Sequence, residues 1–139
     1  MESVEAMIEI RPREIVILAD DFDRLVGWYR DALGFDVVRF FNDTFQFANL
    51  ETSTGIRLGI GSAAEMGVVP GDRQQNTVVF QIEVDDLRGL FAHLEQHGAT
   101  ITGGPSFDEQ LKFWFGSFTD PEGNPPYLST CCRAPSSSG

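Results

Sequence analysis

Few residues in this chain have the type and spacing that chemistry requires. His93 and His97 lie four apart in 93-HLEQH-97, which on a helix puts both rings on one face, as two metal ligands would be. No further donor lies close by in sequence, and solvent-exposed histidines beside the apolar stripe of a helix are the plainer reading. Cys131 and Cys132 are the only thiols. Adjacent cysteines bridge one another only under strain, and no neighbouring base marks either as a nucleophile, so both are expected as reduced thiols. Glu14 and Glu83 could form an acid–base pair if both face one cavity; pairing with Arg57 or solvating a rim is the ordinary alternative. The run 103-GGP-105 leads into a polar loop and not a helix, so it is no phosphate cradle. Aromatics are dense, with Phe40, Phe41, Phe45 and Phe47 in one hairpin and Phe113, Trp114, Phe115 and Phe118 in another. Alternation gives Phe113 and Phe115 one face and Trp114 and Phe118 the other, and leaves open which face is inside. An aromatic-lined, acid-rimmed cavity would hold a flat or cationic organic molecule by stacking and cation–π attraction.

The elements that would position these residues are written twice in the chain. The phrase 14-EIVILADDFDRLVGWYRDALGF-35 reads as a short strand, an Asp-Asp step, an amphipathic helix and a Gly stop, and 79-VFQIEVDDLRGLFAHLEQHGAT-100 has the same order. Asp21 against Asp86 gives an offset of 86 − 21 = 65, and Gly34 against Gly98 gives 98 − 34 = 64. The two Asp residues suit helix N-caps, and the two Gly residues suit the left-handed position that ends a helix. Phe22, Leu25, Val26, Tyr29 and Leu33 form one apolar stripe; Leu87, Leu90, Phe91 and Leu94 form the other. Further strands are expected at about 36–42, 44–52 and 56–62, and at about 100–103, 112–119 and 125–130. The chain is therefore α+β, with βαβββ modules over approximately 8–62 and 76–130, a linker at 63–75 and a disordered tail at 133–139.

Alternation along the strands sorts their faces. Ile15, Ile17 and Ala19 belong under the first helix, as do Ile56, Leu58 and Ile60; Val78, Phe80, Ile82 and Val84 belong under the second. The opposite face then carries Glu14, Arg57, Gly59, Gly61, Val79, Gln81 and Glu83, a mixed surface that a curved sheet would turn into a cavity, with the two glycines leaving room.

The paired modules, the phrase 28-WYRDALGF-35 and the DPxGN turn (Asp120, Pro121, Gly123, Asn124) together resemble the glyoxalase, bleomycin-resistance and extradiol-dioxygenase superfamily over about 13–130. The resemblance implies two modules making one cupped mixed sheet around a cavity, helices on the outer face, and a homodimer. It also implies four strand positions that hold a divalent metal in the enzymes of the family, which fall here on Glu14, Arg57, Val79 and Tyr127. Val79 has no donor, Arg57 is a permanent cation and tyrosine is a poor ligand unless ionised, so no divalent metal cofactor is expected. A Glu14–Arg57 ion pair is expected in its place.

Composition sets the outer bounds. With 139 residues, 42% of them hydrophobic, the chain can bury one domain core. Ten basic against 21 acidic residues give a net charge of −11, which repels nucleic acid and anionic membranes. No apolar run reaches the length of a membrane span and the N-terminal residues lack a signal-peptide pattern, so a cytoplasmic protein is expected. The reading that follows is a binding protein that sequesters a cationic or aromatic organic ligand without metal, in a cavity lined by Glu14, Arg57, Val79, Gln81, Glu83, Phe113, Phe115 and Tyr127. A metal-dependent lyase, isomerase or dioxygenase is the rival reading, and a dimer with a filled cavity is the third.

Overall fold

Both repeats fold around their helices as the pattern dictates. The computed structural model describes residues 8–130. Cys131, Cys132 and the tail at 133–139 lie outside them. The first module runs β1 (Ile15–Ala19), α1 (Phe22–Leu33), β2 (Asp36–Asn42), β3 (Gln46–Glu51) and β4 (Arg57–Ser62). A 3-10 turn at Arg73–Gln75 precedes the second module, which runs β5 (Gln81–Glu83), α2 (Leu87–Gln96), β6 (Thr100–Asp108), β7 (Phe113–Thr119) and β8 (Tyr127–Ser129). Asp21 and Asp86 cap the two helices by accepting the Arg24 and Gly89 amides at 3.3 and 3.0 Å. Gly34 (φ 72°) closes α1, its amide donating back to Arg30.

The sheets repeat each other in order as well, β1-β4-β3-β2 and β5-β8-β7-β6, with β1–β4 and β5–β8 parallel and the remaining pairs antiparallel. Among the described residues no backbone bond joins the two sheets, so the single cupped sheet expected from the sequence is instead two four-stranded sheets, and they do not close. Both helices contribute to one core, in which Leu25, Tyr29, Leu50, Leu58, Ile60, Leu94, Phe118 and Leu128 are fully buried. Burying each such side chain contributes about 1.5–3 kcal/mol. The stripe of α1 is wider than its spacing suggests, because Trp28 and Ala32 are buried too. Trp28 packs at 6.0 Å on Phe118 of the second module and donates its indole N–H to the His97 carbonyl at 2.7 Å.

Three expected strands change their bounds for backbone reasons. β8 begins at Tyr127 and not 125, because Pro125 and Pro126 have no N–H to donate to a ladder. Residues 77–79, which face those prolines, consequently lie outside the sheet, with Thr77 in a bend, and Val78 is 87% exposed instead of lying under α2. The 103-GGP-105 run, expected to open a loop, stays within β6, whose register shifts between Ile101 and Ser106. β6 is an edge strand, where proline is tolerated. Gly104 (φ 77°) is required there, since a Cβ would meet the Phe115 carbonyl oxygen at 2.5 Å.

The modules are locked together by the Asp120–Asn124 turn. Asp120 accepts the Glu122 and Asn124 amides, the Asn124 side-chain amide and, at 2.8 Å, the Tyr29 hydroxyl from the first module. Glu122, its side chain 6% exposed, accepts the Asp20 and Asp21 amides, both at 2.7 Å. Arg73 from the intervening segment sits 3.1 Å from Glu122 and 3.2 Å from Asp20, and donates to the Leu18 carbonyl and Asn124 Oδ1. Burial first, and then the neighbouring Asp120 carboxylate, hold the Tyr29 hydroxyl protonated well above its ordinary range. An unfolded tyrosine ionises near pH 10, so this group's contribution is complete below that pH and is lost as pH rises above it. Tyr29→Phe should therefore flatten the alkaline limb of a stability-against-pH curve measured by urea denaturation. A limb as steep as that of the native chain would refute this assignment.

Candidate functional site

The expected site residues fall on two surfaces. On the first sheet, β1–β4 register pairs Ile15 with Leu58 and so sets Glu14 beside Arg57, as the alternation requires. The ion pair nevertheless does not form among the described residues. Glu14 Oε1 accepts the Asn49 side-chain amide at 2.9 Å, and Arg57 is exposed to solvent. The neutral amide satisfies the carboxylate within the sheet, whereas a guanidinium in water gains little by approaching it. Nor do the glycines leave room: a Cβ on Gly59 would meet Glu14 Oε2 at 2.8 Å and Phe47 Cζ at 3.0 Å, and one on Gly61 would meet Phe47 Cδ2 at 3.2 Å. The Phe47 ring and the Glu14 carboxylate already cover this floor.

On the second sheet, register aligns Gln81 with Tyr127 and Ser117, and Glu83 with Ser129 and Phe115. The face of β7 that the sequence left undecided is now clear. Gly116 abuts Phe91 of α2, so Trp114, Gly116 and Phe118 face the helix, and Phe113, Phe115 and Ser117 lie on the open face with Tyr127. That face is solvated in a single chain, with Tyr127 50% exposed. Glu14 and Glu83 thus lie on different sheets and do not converge as an acid–base pair.

The more enclosed of the chain's cavities, about 520 Å³, opens between the modules, with β1 on one side, residues 76–80 on the other and Pro125–Pro126 below. Ile15, Val16, Ile17, Leu18, Val79 and Phe80 supply apolar walls; Asn76, Thr77, Arg73 and Asn124 supply the polar groups. Of the eight expected site residues, Val79 alone lines it, whereas Glu14 and Arg57 line shallower grooves on the outer part of the first sheet. Among the described residues its wall contains no Asp, Glu, His or Cys. Arg73, missed from the sequence, is the one basic residue of the 63–75 segment, and that isolation among acidic modules was the available signal. The role of Asp120, Glu122 and Asn124 carried no such signal, because a turn sequence does not say what its side chains reach.

Fit to a divalent metal fails at the family's four positions. Val79 offers no donor, Arg57 is cationic, and Glu14 is already hydrogen-bonded to Asn49. Among the described residues no three His, Cys, Asp or Glu side chains converge anywhere. His93 and His97 stack at 4.4 Å on α2 without a third donor, His93 exposed and His97 half-buried. No helix of the described residues is long and apolar enough to cross a membrane.

Comparison with solved structures returns the same architecture. A hypothetical protein from S. aureus superposes with a TM-score of 0.73 at 14% identity, covering 93% of this chain and 100% of its own. A member of the glyoxalase/bleomycin resistance protein/dioxygenase superfamily from Sphaerobacter thermophilus gives 0.72 at 21% identity, covering 90% and 99%. TioX from a Micromonospora species gives 0.63 at 18% identity, covering 86% and 98%. At these identities the likeness is one of fold. No curated protein matches in sequence.

The two arginines separate a solvated charge from a buried one. Arg57→Leu is expected to change unfolding free energy by less than about 0.5 kcal/mol, and Arg73→Leu to cost about 3–5 kcal/mol by leaving Glu122 uncompensated. Urea denaturation of the two variants checks this, and equal losses would show that the junction is not where charge matters. Residues 11–125 match the family model described as Glyoxalase/Bleomycin resistance protein/Dioxygenase superfamily, and with the doubled βαβββ fold this places the chain in that superfamily.

Proposed function

We propose that this protein binds a neutral or weakly polar organic molecule without metal, in the manner of the non-enzymatic, drug-sequestering members of its superfamily. The observation that carries the reading is the composition of the 520 Å³ cavity wall, which among the described residues offers apolar area, amide or hydroxyl groups and the Arg73 guanidinium but no carboxylate, imidazole or thiol. Such a wall can hold an organic ligand and cannot supply a metal ligand set or an acid–base pair. The Arg73 charge is neutralised by Asp20 and Glu122, so this seat favours aromatic or aliphatic character over positive charge. A cationic ligand would rely instead on the general field of a chain with net charge −11. A cytoplasmic homodimer completes the reading, since a second copy would cover Phe41, Phe115 and Tyr127, which are exposed in one chain.

Nile red, a neutral apolar dye, is a suitable probe. Its fluorescence should rise saturably with about one dye per chain, unchanged after treatment with a chelator. Val79→Lys should weaken the uptake at least about tenfold by placing a charge in the wall. Stoichiometric Mn, Fe, Ni or Zn that raises the melting temperature of chelator-stripped protein would overturn the proposal.

A further inference from the structure

The cavity is a slot between the β1 edge and the segment 77–80 that leads into β5, and its backbone groups can be counted. In a parallel ladder, successive residues direct their N–H and C=O groups to opposite sides. The Ala19 carbonyl accepts the Ala63 amide on the β4 side, so Ile15 and Ile17 also serve β4, while Val16 and Leu18 face the slot. Arg73 agrees with this by taking the Leu18 carbonyl from the slot side at 2.6 Å. Across the gap, the Phe80 carbonyl accepts the Tyr127 amide, so Phe80 serves β8 and Val79 faces the slot. Beyond Leu18 the β1 edge is closed, because Glu122 takes the Asp20 and Asp21 amides. What stays open among the described residues is the amide and carbonyl of Val16, the amide of Leu18 and both backbone groups of Val79. Nothing within the described chain bonds these groups, so they form an open edge on which a further strand can be laid.

We infer that the slot takes a short extended peptide with apolar side chains, which adds as a strand between β1 and residues 77–80. The inference rests on the cavity being the ligand seat, and it names the ligand's class. Four residues line each flank, Ile15–Leu18 and Thr77–Phe80, so about four residues of extended chain, roughly 13 Å, match the length. Main-chain bonds to both edges would supply the attraction, and the apolar walls would select the side chains. Arg73 closes one end of the slot and fixes how far such a strand can run.

Calorimetry with a capped tetrapeptide of alternating valine and threonine tests this on the native chain, beside the same peptide with its amide nitrogens methylated. Parent binding with at least about tenfold loss on methylation is expected, since two or more hydrogen bonds are removed. Val16→Pro removes one slot-facing amide without touching the β1–β4 ladder, a change an edge tolerates. It should lose peptide affinity about tenfold, while Nile red uptake by the native chain reports on the seat itself. Equal affinity of methylated and parent peptides, or no peptide binding by a chain that takes up Nile red, would overturn the inference while leaving the cavity as an organic-ligand seat. Failure to bind Nile red would count against that seat itself. If the proline variant does not fold, the methylated peptide decides the matter alone.

Discussion

The fold depends on one buried contact, Arg73 against Glu122, both side chains under 10% exposed. Each βαβββ module has its own sheet and helix, but no ladder bonds join them, so their relation rests on side chains at the junction. Glu122 holds the two residues that lead from β1 into α1 through their backbone amides, and Arg73 neutralises it while reaching to Leu18 and Asn124. A charge pair so enclosed gains little net stability over apolar residues, yet either member alone would be costly, so the two enforce one arrangement of the modules. Tyr29 with Asp120 and Trp28 with His97 add uncharged links beside it.

That arrangement leaves a gap. Because Arg73 and Glu122 satisfy the β1 edge from Leu18 to Asp21, the edges of β1 and residues 77–80 are held apart without joining into one sheet. Pro125 and Pro126 reinforce this by denying residues 77–79 a ladder partner. The cavity is thus a by-product of how the junction is closed, and its chemistry follows from strand residues that are apolar because they border the core. In its enzymes the superfamily uses the corresponding sheet positions for metal. Here those positions are a hydrogen-bonded carboxylate, a solvated arginine, a cavity-lining valine and a half-exposed tyrosine.

The duplicated pattern, both helices with their caps, the α+β class and the family were legible in the sequence, because each follows from short-range periodicity and capping chemistry. Strand ends were less so. Val78 reads as a buried strand residue by alternation, but its exposure was set by two prolines nearly fifty residues away. The Glu14–Arg57 pair was sound as a statement of adjacency and wrong as a statement of bonding. Register is a backbone property that alternation can predict; which side chain a carboxylate selects depends on every neighbour within reach, here Asn49 on the next strand but one.

By itself, the sequence determined the two modules, the two faces of β4 and the residue types at the four positions that the family resemblance points to, since these depend on residue type and local spacing. The tertiary structure alone decided that Arg73 is buried, that the DPEGN turn is a clasp between modules, and that the cavity lies at their seam and not on the open sheet faces. Those features arise where segments 51 to 102 residues apart meet, from the Arg73–Asn124 bond to the Asp20–Glu122 bond. No local pattern encodes such a meeting, because it is fixed by how the two modules pack into one core.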